Sequence, residues 1–286
     1  MKLWEKIITA DGSPTFYSAE FGETFHTKYG AKSEADITYI QGCQIPRKIQ
    51  EKNQIKILDI CYGLGYNTAS VLDFIMSNNP QCSIELIALE LDENVPKEAL
   101  KNNLLHHYSS KTIEILTTLL TEKEVNLPLL KIKLLIGDAR QTLSQLVPPN
   151  FQADAVFFDP FSPPKCPQLW TVEFLTLVAQ RLDENGILAT YSCSAGVRKA
   201  LQLAGLTIGN NYCIGRRSPG TVATKGFQLL SPLSPMELEH LHTKASIPFR
   251  DATLQDTKEI IKLRREQEQS LSNLESTSQW KKRWFS

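Results

Sequence analysis

Apolar and polar positions follow two alternating rhythms along this chain. Short apolar runs of strand character, rich in Ile, Leu, Val and Phe, recur at 55–60, 84–90, 131–136, 153–159 and 186–191. Stretches with helical spacing lie between and after them, at 68–77, 93–107, 169–182 and 195–204. Near-continuous apolar strands alternating with amphipathic helices predict a parallel sheet covered on both faces. Two further strands are predicted at 207–213 and 224–230, which makes seven in a doubly wound, mostly parallel α/β sheet. Residues 109–130 are a mixed excursion with room for one helix.

The flanks have other patterns. In residues 1–50, Asp11-Gly12-Ser13-Pro14 is a turn signature, with strand-like runs at 15–18 and 37–40, the latter bounded by Gly42. This predicts a β-rich extension covering one end of the main domain, 51–231. Its aromatics (Phe16, Tyr17, Phe21, Phe25 and Tyr29) are read as packing for short strands rather than as a stacking platform. Residues 232–286 form a tail with helices predicted at 233–244 and 256–274. The tail ends in the basic, aromatic run Trp280-Lys281-Lys282-Arg283-Trp284-Phe285, suited to stacking on RNA or to docking on the protein's own surface.

Composition narrows the function. The 286 residues carry 31 Lys and Arg against 31 Asp and Glu, so a nucleic-acid ligand would need a local basic patch. From Tyr212 onward, 12 Lys and Arg face 8 Asp and Glu, a modest basic bias. The six cysteines contain no Cys-x-x-Cys pair and only five histidines exist, which disfavours zinc and disulfides and fits reduced thiols in the cytoplasm. The residues following Met1 have no apolar core of signal-peptide length, and no run approaches the roughly 20 apolar residues of a membrane span.

The chemistry sits at the strand ends. After the first apolar run comes Asp59-Ile60-Cys61-Tyr62-Gly63-Leu64-Gly65-Tyr66-Asn67 and then a helix, the strand–glycine loop–helix seat of a nucleotide-like ligand. A dinucleotide fingerprint requires Gly or Ala where Thr68 stands, so S-adenosylmethionine fits better. Four successive strands end in acids: Asp59, Glu90, Asp138 and Asp159. Acids commonly end strands as helix caps, but four in register imply one lined cleft. Glu90 is placed for the ribose hydroxyls and Asp138 for an adenine amine. Asp59 is placed for the loop or the ligand's amino group.

Asp159 opens the proline-stiffened Asp159-Pro160-Phe161-Ser162-Pro163-Pro164-Lys165. The carboxylate and the Pro160 carbonyl accept hydrogen bonds and do not donate them, a pairing suited to holding an amine. An alkylamine with a pKa of about 10 must lose a proton before it attacks, and Asp159 is the natural acceptor.

These residues resemble the methyltransferase domain of the bifunctional tRNA wobble-uridine enzymes of the MnmC family, in particular the stand-alone form without the FAD oxidase. The resemblance runs from about 11 to 221 and is most specific in Asp159-x-Phe161-x-Pro163-x-Lys165-x-Pro167-x-x-Trp170. Ser194-Ala195-Gly196-Val197-Arg198 and Gly215-Arg216-Arg217 add to it. It implies a Rossmann-like class I fold and N-methylation of 5-aminomethyl-2-thiouridine at position 34 in a tRNA anticodon loop, with no oxidase step. On this resemblance Gly63, Gly65, Asn67, Glu90 and Asp138 hold the cofactor, joined in our reading by Asp59 and Asp159, while Asp159 and Phe161 face the amine. Lys165, Trp170, Arg198, Arg216 and Arg217 are read as substrate or RNA contacts, with Lys199 and Lys225 on the same rim. No metal is implied. Cys61 stands where the family usually has glycine, Asp59 replaces a frequent glutamate, and Pro160 a frequent glycine.

Two other readings share the fold. An aminopropyltransferase would use the decarboxylated cofactor and a small diamine and need no basic rim. A non-catalytic RNA-binding module would have no use for four intact acids.

Overall fold

The computed structural model describes residues 4–215, 218–226 and 230–285. Strands β1 (Glu5–Ile8), β2 (Pro14–Ser18) and β3 (Glu23–Thr24) make a small antiparallel sheet. The chain then turns helical, α1 (Ala31–Glu34) running into a π-type turn over Ala35–Gln41 and then α2 (Ile45–Glu51). Residues 37–40 are therefore helix, not the strand expected. Ala35, Tyr39 and Cys43 recur every four residues and are all buried, so one helical face enters the core, which four β-branched or aromatic residues in isolation do not reveal.

The main sheet follows: β4 (Gln54–Ile60), α3 (Tyr66–Asn78), β5 (Ser83–Glu90), α4 (Asn94–Lys101), α5 (Ser110–Glu122), β6 (Glu124–Leu127), β7 (Leu130–Ile136) and α6 (Ala139–Gln145). It continues through β8 (Ala153–Phe158), α7 (Val172–Gln180), β9 (Leu182–Thr190), α8 (Ala195–Leu203), β10 (Thr207–Asn210) and β11 (Thr221–Thr224). Among the described residues the sheet has eight strands, in the order β10-β11-β9-β8-β4-β5-β7-β6. The five central strands are parallel, while β11 and β6 run antiparallel to their neighbours. The eighth strand, β6, comes from the unplaced stretch 109–130. It forms a hairpin with β7 closed by Pro128 and Leu129, and only Val125 of its four residues is buried, too little pattern to read from sequence. The strand expected at 224–230 is the earlier β11, and residues 227–229 lie outside the described residues.

The sheet is α/β and doubly wound as expected, with one apolar layer on each face. Alternation along β8 shows why: Ala155 and Phe157 enter one layer, Val156 and Phe158 the other. The helical part of residues 31–49 supplies Ala31, Ala35, Tyr39, Ile40, Cys43, Ile45 and Ile49 to the first layer, so it belongs to the main core. β4 leads on one side to β5 and on the other pairs with β8, and this reversal leaves a crevice beyond the carboxyl ends of both.

The tail closes the opposite layer through Phe249 and through Ile261 of α10 (Lys258–Leu271), and adds α9 (Pro235–His240) and α11 (Thr277–Trp284) outside it. Its basic aromatic end is docked on the protein. Trp280 is buried and stacks on His240, 4.1 Å between ring centroids, while Arg283 pairs with Glu239 and Glu275. Among the described residues no helix is long and apolar enough to cross a membrane.

Candidate functional site

The glycine loop turns sharply because three alternate residues take left-handed backbone conformations: Cys61 at φ 69°, Gly63 at 57° and Gly65 at 90°. Gly65 has no alternative, since a Cβ there would lie 2.8 Å from the Tyr62 hydroxyl. Cys61 holds the same shape without glycine's freedom, at a strain of about 1 kcal/mol.

The loop walls one end of a cavity of about 430 Å³ at the crevice, within the usual range for a small-molecule site. Cys61, Tyr62, Gly63, Leu64, Asn67 and Glu90 line that end. Glu90 is nearly buried and accepts from the backbone N–H groups of Gly63 (2.7 Å) and Asp92 (2.9 Å), which fixes its carboxylate at the cavity wall. Burial raises its pKa.

The other end is built by the turn after β8. Asp159 continues the strand pairing through its N–H to the Ile60 carbonyl, and its Oδ2 accepts from Asn67 Nδ2 at 3.0 Å. The carboxyl group faces the cavity but is surrounded by protein. That burial, followed by the negative charge of Glu34, pushes its pKa up to about 8. The Pro160 carbonyl, read from sequence as a second acceptor for an amine, already accepts from the Tyr191 hydroxyl at 2.7 Å. Phe161 lines the cavity, and its own carbonyl is held by Trp170 Nε1 at 2.9 Å.

Several expected site residues have other work. Asp59 lies beneath the loop, fully buried and outside the cavity wall, where it accepts from the Thr68 hydroxyl at 2.6 Å; burial pushes its pKa up to about 7. Asp138 is also off the wall. It caps α6 and grips the Arg140 guanidinium, which reaches on to Asp251 of the tail at 2.9 Å. Trp170 is wholly buried against Phe158 and Tyr191, so it orients Phe161 from behind and offers no face to RNA. Arg198 is likewise buried, bonded to Glu237 (2.8 Å), Asn210 and Thr221, and ties the tail to the sheet edge. Lys165 is exposed and off the cavity wall, its Nζ beside Gly22 in the β2–β3 turn. Arg216 and Arg217 lie outside the described residues.

The residues that sequence reasoning missed come from the extension. Trp4, Phe21, Glu23, Phe25, His26 and Glu34 all line the cavity, so the extension forms a wall rather than a cover. Phe21 stacks on Phe161, and Glu23 accepts from the Ser162 hydroxyl at 2.5 Å and its N–H at 3.2 Å. The aromatic spacing was the available signal, since both Phe21 and Phe25 were visible and both pack on Phe161. Nothing in the sequence marked Glu34.

Comparison with known proteins bears on this geometry. Residues 96–226 match a family of S-adenosyl-L-methionine-dependent methyltransferases. The crystal structure of MNMC2 from Aquifex aeolicus is 34% identical and covers 94% of this chain and 86% of its own, with a TM-score of 0.82. The chain belongs to the MnmC2 family of S-adenosylmethionine-dependent methyltransferases. A Methanocaldococcus jannaschii relative, the uncharacterized protein MJ0670, is 28% identical over 93% of this chain and 72% of its own length. The tRNA 5-methylaminomethyl-2-thiouridine biosynthesis bifunctional protein MnmC of Aromatoleum aromaticum is 30% identical over 69% of this chain. The chain spans about a third of that bifunctional relative, 32% of its length.

The cavity fits the family's cofactor. Glu90 retains lone pairs for ribose hydroxyls, glycine backbone lines the wall beside it, and buried Asn67 Oδ1 has no hydrogen-bond partner among the described residues. The bound cofactor supplies an electrophilic methyl group on a sulfonium.

Proposed function

We propose that this MnmC2 protein methylates the exocyclic amine of 5-aminomethyl-2-thiouridine at the wobble position, 34, of tRNA, giving the 5-methylaminomethyl product without an oxidase step. The observation that carries the reading is Asp159, a carboxylate with a pKa near 8 set between the cofactor loop and an aromatic wall. A carboxylate of that basicity can take a proton from an ammonium ion far more readily than an exposed one, leaving a neutral nitrogen. Asn67 fixes the carboxylate through its Nδ2, while Phe161 and Phe21 present the aromatic faces that a splayed anticodon base stacks on.

In this proposal Gly63, Gly65, Asn67 and Glu90 hold the cofactor, Asp159 and Phe161 serve the acceptor, and Lys165 meets the RNA backbone outside the cavity. A tRNA substrate places the work in the cytoplasm. The relative's name supports the RNA class, and the match covers the family's methyltransferase region.

The test is nucleoside analysis of tRNA incubated with methyl-labelled S-adenosylmethionine. Conversion of the aminomethyl to the methylaminomethyl nucleoside is the expected result. Tight binding of the decarboxylated cofactor without RNA methylation overturns it in favour of aminopropyl transfer.

A further inference from the structure

Asp159 has a neighbour behind it as well as the cavity in front. Along β8 the alternate side chains of Ala155 and Phe157 enter the first apolar layer. Asp159 is the next residue in that row, carried on by its N–H to the Ile60 carbonyl. Tyr39 belongs to the same layer, wholly buried, with its ring 5.6 Å from that of Phe157. The π-type turn over Ala35–Gln41 carries it there as part of the buried face. Tyr39 does not line the cavity, so it meets Asp159 from the core side.

Its hydroxyl is out of place in an apolar layer. It lies close enough to Asp159 for each to act on the other's ionisation, yet it has no hydrogen-bond partner among the described residues. Buried hydroxyls are normally bonded, because one without a partner costs stability. Phenylalanine would fill the same space without that cost, so packing does not account for a tyrosine here. Burial raises the Tyr39 pKa well above its ordinary value, which keeps the proton on the oxygen and makes the group a donor.

We propose that Tyr39 is a positioning residue for Asp159, its hydroxyl turning onto the ionised carboxylate and, with Asn67, holding it towards the substrate's amine. The inference rests on the methyl-acceptor reading above. A hydrogen bond to an ionised carboxylate is about twice as strong as one to a neutral acid. The donor is therefore worth most in the state that awaits the substrate ammonium. The ammonium then passes one proton to Asp159, Tyr39 keeps its own, and their bond weakens as the carboxylate is neutralised. The groups facing Asp159 are Glu34 and Tyr39 from the helical segment, Asp59 and Cys61 from the end of β4, Asn67 from α3, and Tyr191 after β9. Asn67 already donates to the carboxylate and the Tyr191 hydroxyl to the Pro160 carbonyl. Tyr39 is the remaining hydroxyl of that set.

Tyr39→Phe removes one oxygen and keeps the ring. Loss of a donor to the ionised form raises the Asp159 pKa. The acid limb of the kcat/KM profile, with tRNA bearing 5-aminomethyl-2-thiouridine, is expected to move to higher pH by about one unit or more, the size of a charge-assisted hydrogen bond. Melting temperature should hold or rise, and cofactor affinity should not change. An acid limb that stays at the wild-type position overturns the proposal, and a lower melting temperature beside it marks a tyrosine that only packs. A second measurement uses the wild type and decides the matter if the phenylalanine variant fails to fold. Infrared difference spectra across the ionisation of Asp159 should show the tyrosine C–O band shifting as the protonated-carboxyl band disappears, with both changes absent from Asp159→Asn. A carboxyl band that disappears without the tyrosine shift overturns the role of Tyr39 alone. A wild type that leaves this tRNA unmethylated overturns the acceptor reading and this proposal together.

Discussion

The Phe21 ring lies face to face on the ring of Phe161, 4.1 Å between centroids and 13° from parallel. One residue comes from the β2–β3 turn and the other from the turn after β8, so a wall of the cavity is shared between elements 140 residues apart in sequence. Phe25 meets Phe161 edge-on at 5.0 Å, and Glu23 ties the two turns together through Ser162.

Phe21→Ala removes the outer half of this wall and leaves the cofactor loop intact. The KM for the RNA substrate is expected to rise about tenfold, the worth of one base–aromatic stack. Cofactor affinity, measured by calorimetry, should not change.

Asp159→Asn abolishes transfer and alters the pH dependence of stability. The folded protein holds a proton on Asp159 up to about pH 8, while the unfolded chain releases it near 3.8. The unfolded state therefore binds fewer protons across that window, and stability falls as pH rises through it. The asparagine variant should lose this slope and be the more stable protein at pH 7.5. Melting temperatures measured from pH 4 to 9 check this; a parallel pair of curves would contradict it.

Cys61→Gly relieves a left-handed residue at φ 69°. Relief of the strain exceeds glycine's extra chain entropy by about 0.5 kcal/mol. In a chain of this size the expected gain in melting temperature is about 1–2 °C. Cofactor affinity should be kept, because the loop already has the glycine geometry.

Arg198→Ala takes the buried cation from the Glu237 carboxylate, which keeps its bonds from Asn210 and Ser234, and opens the tail's attachment to the sheet edge. The expected cost is about 3–5 kcal/mol, the loss on breaking a buried pair. Denaturant unfolding measures it. The affinity of the folded variant for tRNA should be close to wild type, which separates a structural arginine from an RNA-binding one.

Much of this molecule could be read from residue order alone. The five parallel strands, the loop at Gly63 and Gly65, and the acid at position 90 follow from local rules: apolar runs of strand length, glycine where the backbone must turn left-handed, and a carboxylate ending a strand. The motif from Asp159 to Trp170 pointed to one wall of the cavity for the same reason, since its residues are contiguous. Local rules do not reach partners from elsewhere in the chain. An arginine in a helix near a cleft looks like an RNA contact until tertiary structure brings Glu237, Asn210 and Thr221 around it. Asp138 reads locally as an adenine acceptor, and only the folded structure adds that Arg140 reaches back to its carboxylate.

The sequence by itself determined the five parallel strands, the place of the glycine loop and the acid that ends β8, because each depends on neighbours within a few residues. Only the tertiary structure decided that the extension is part of the site. Phe21 and Phe25 acquire their meaning from Phe161, more than 100 positions away. A run that reads locally as strand became a π-type helical turn because its buried face is set by the sheet it packs against.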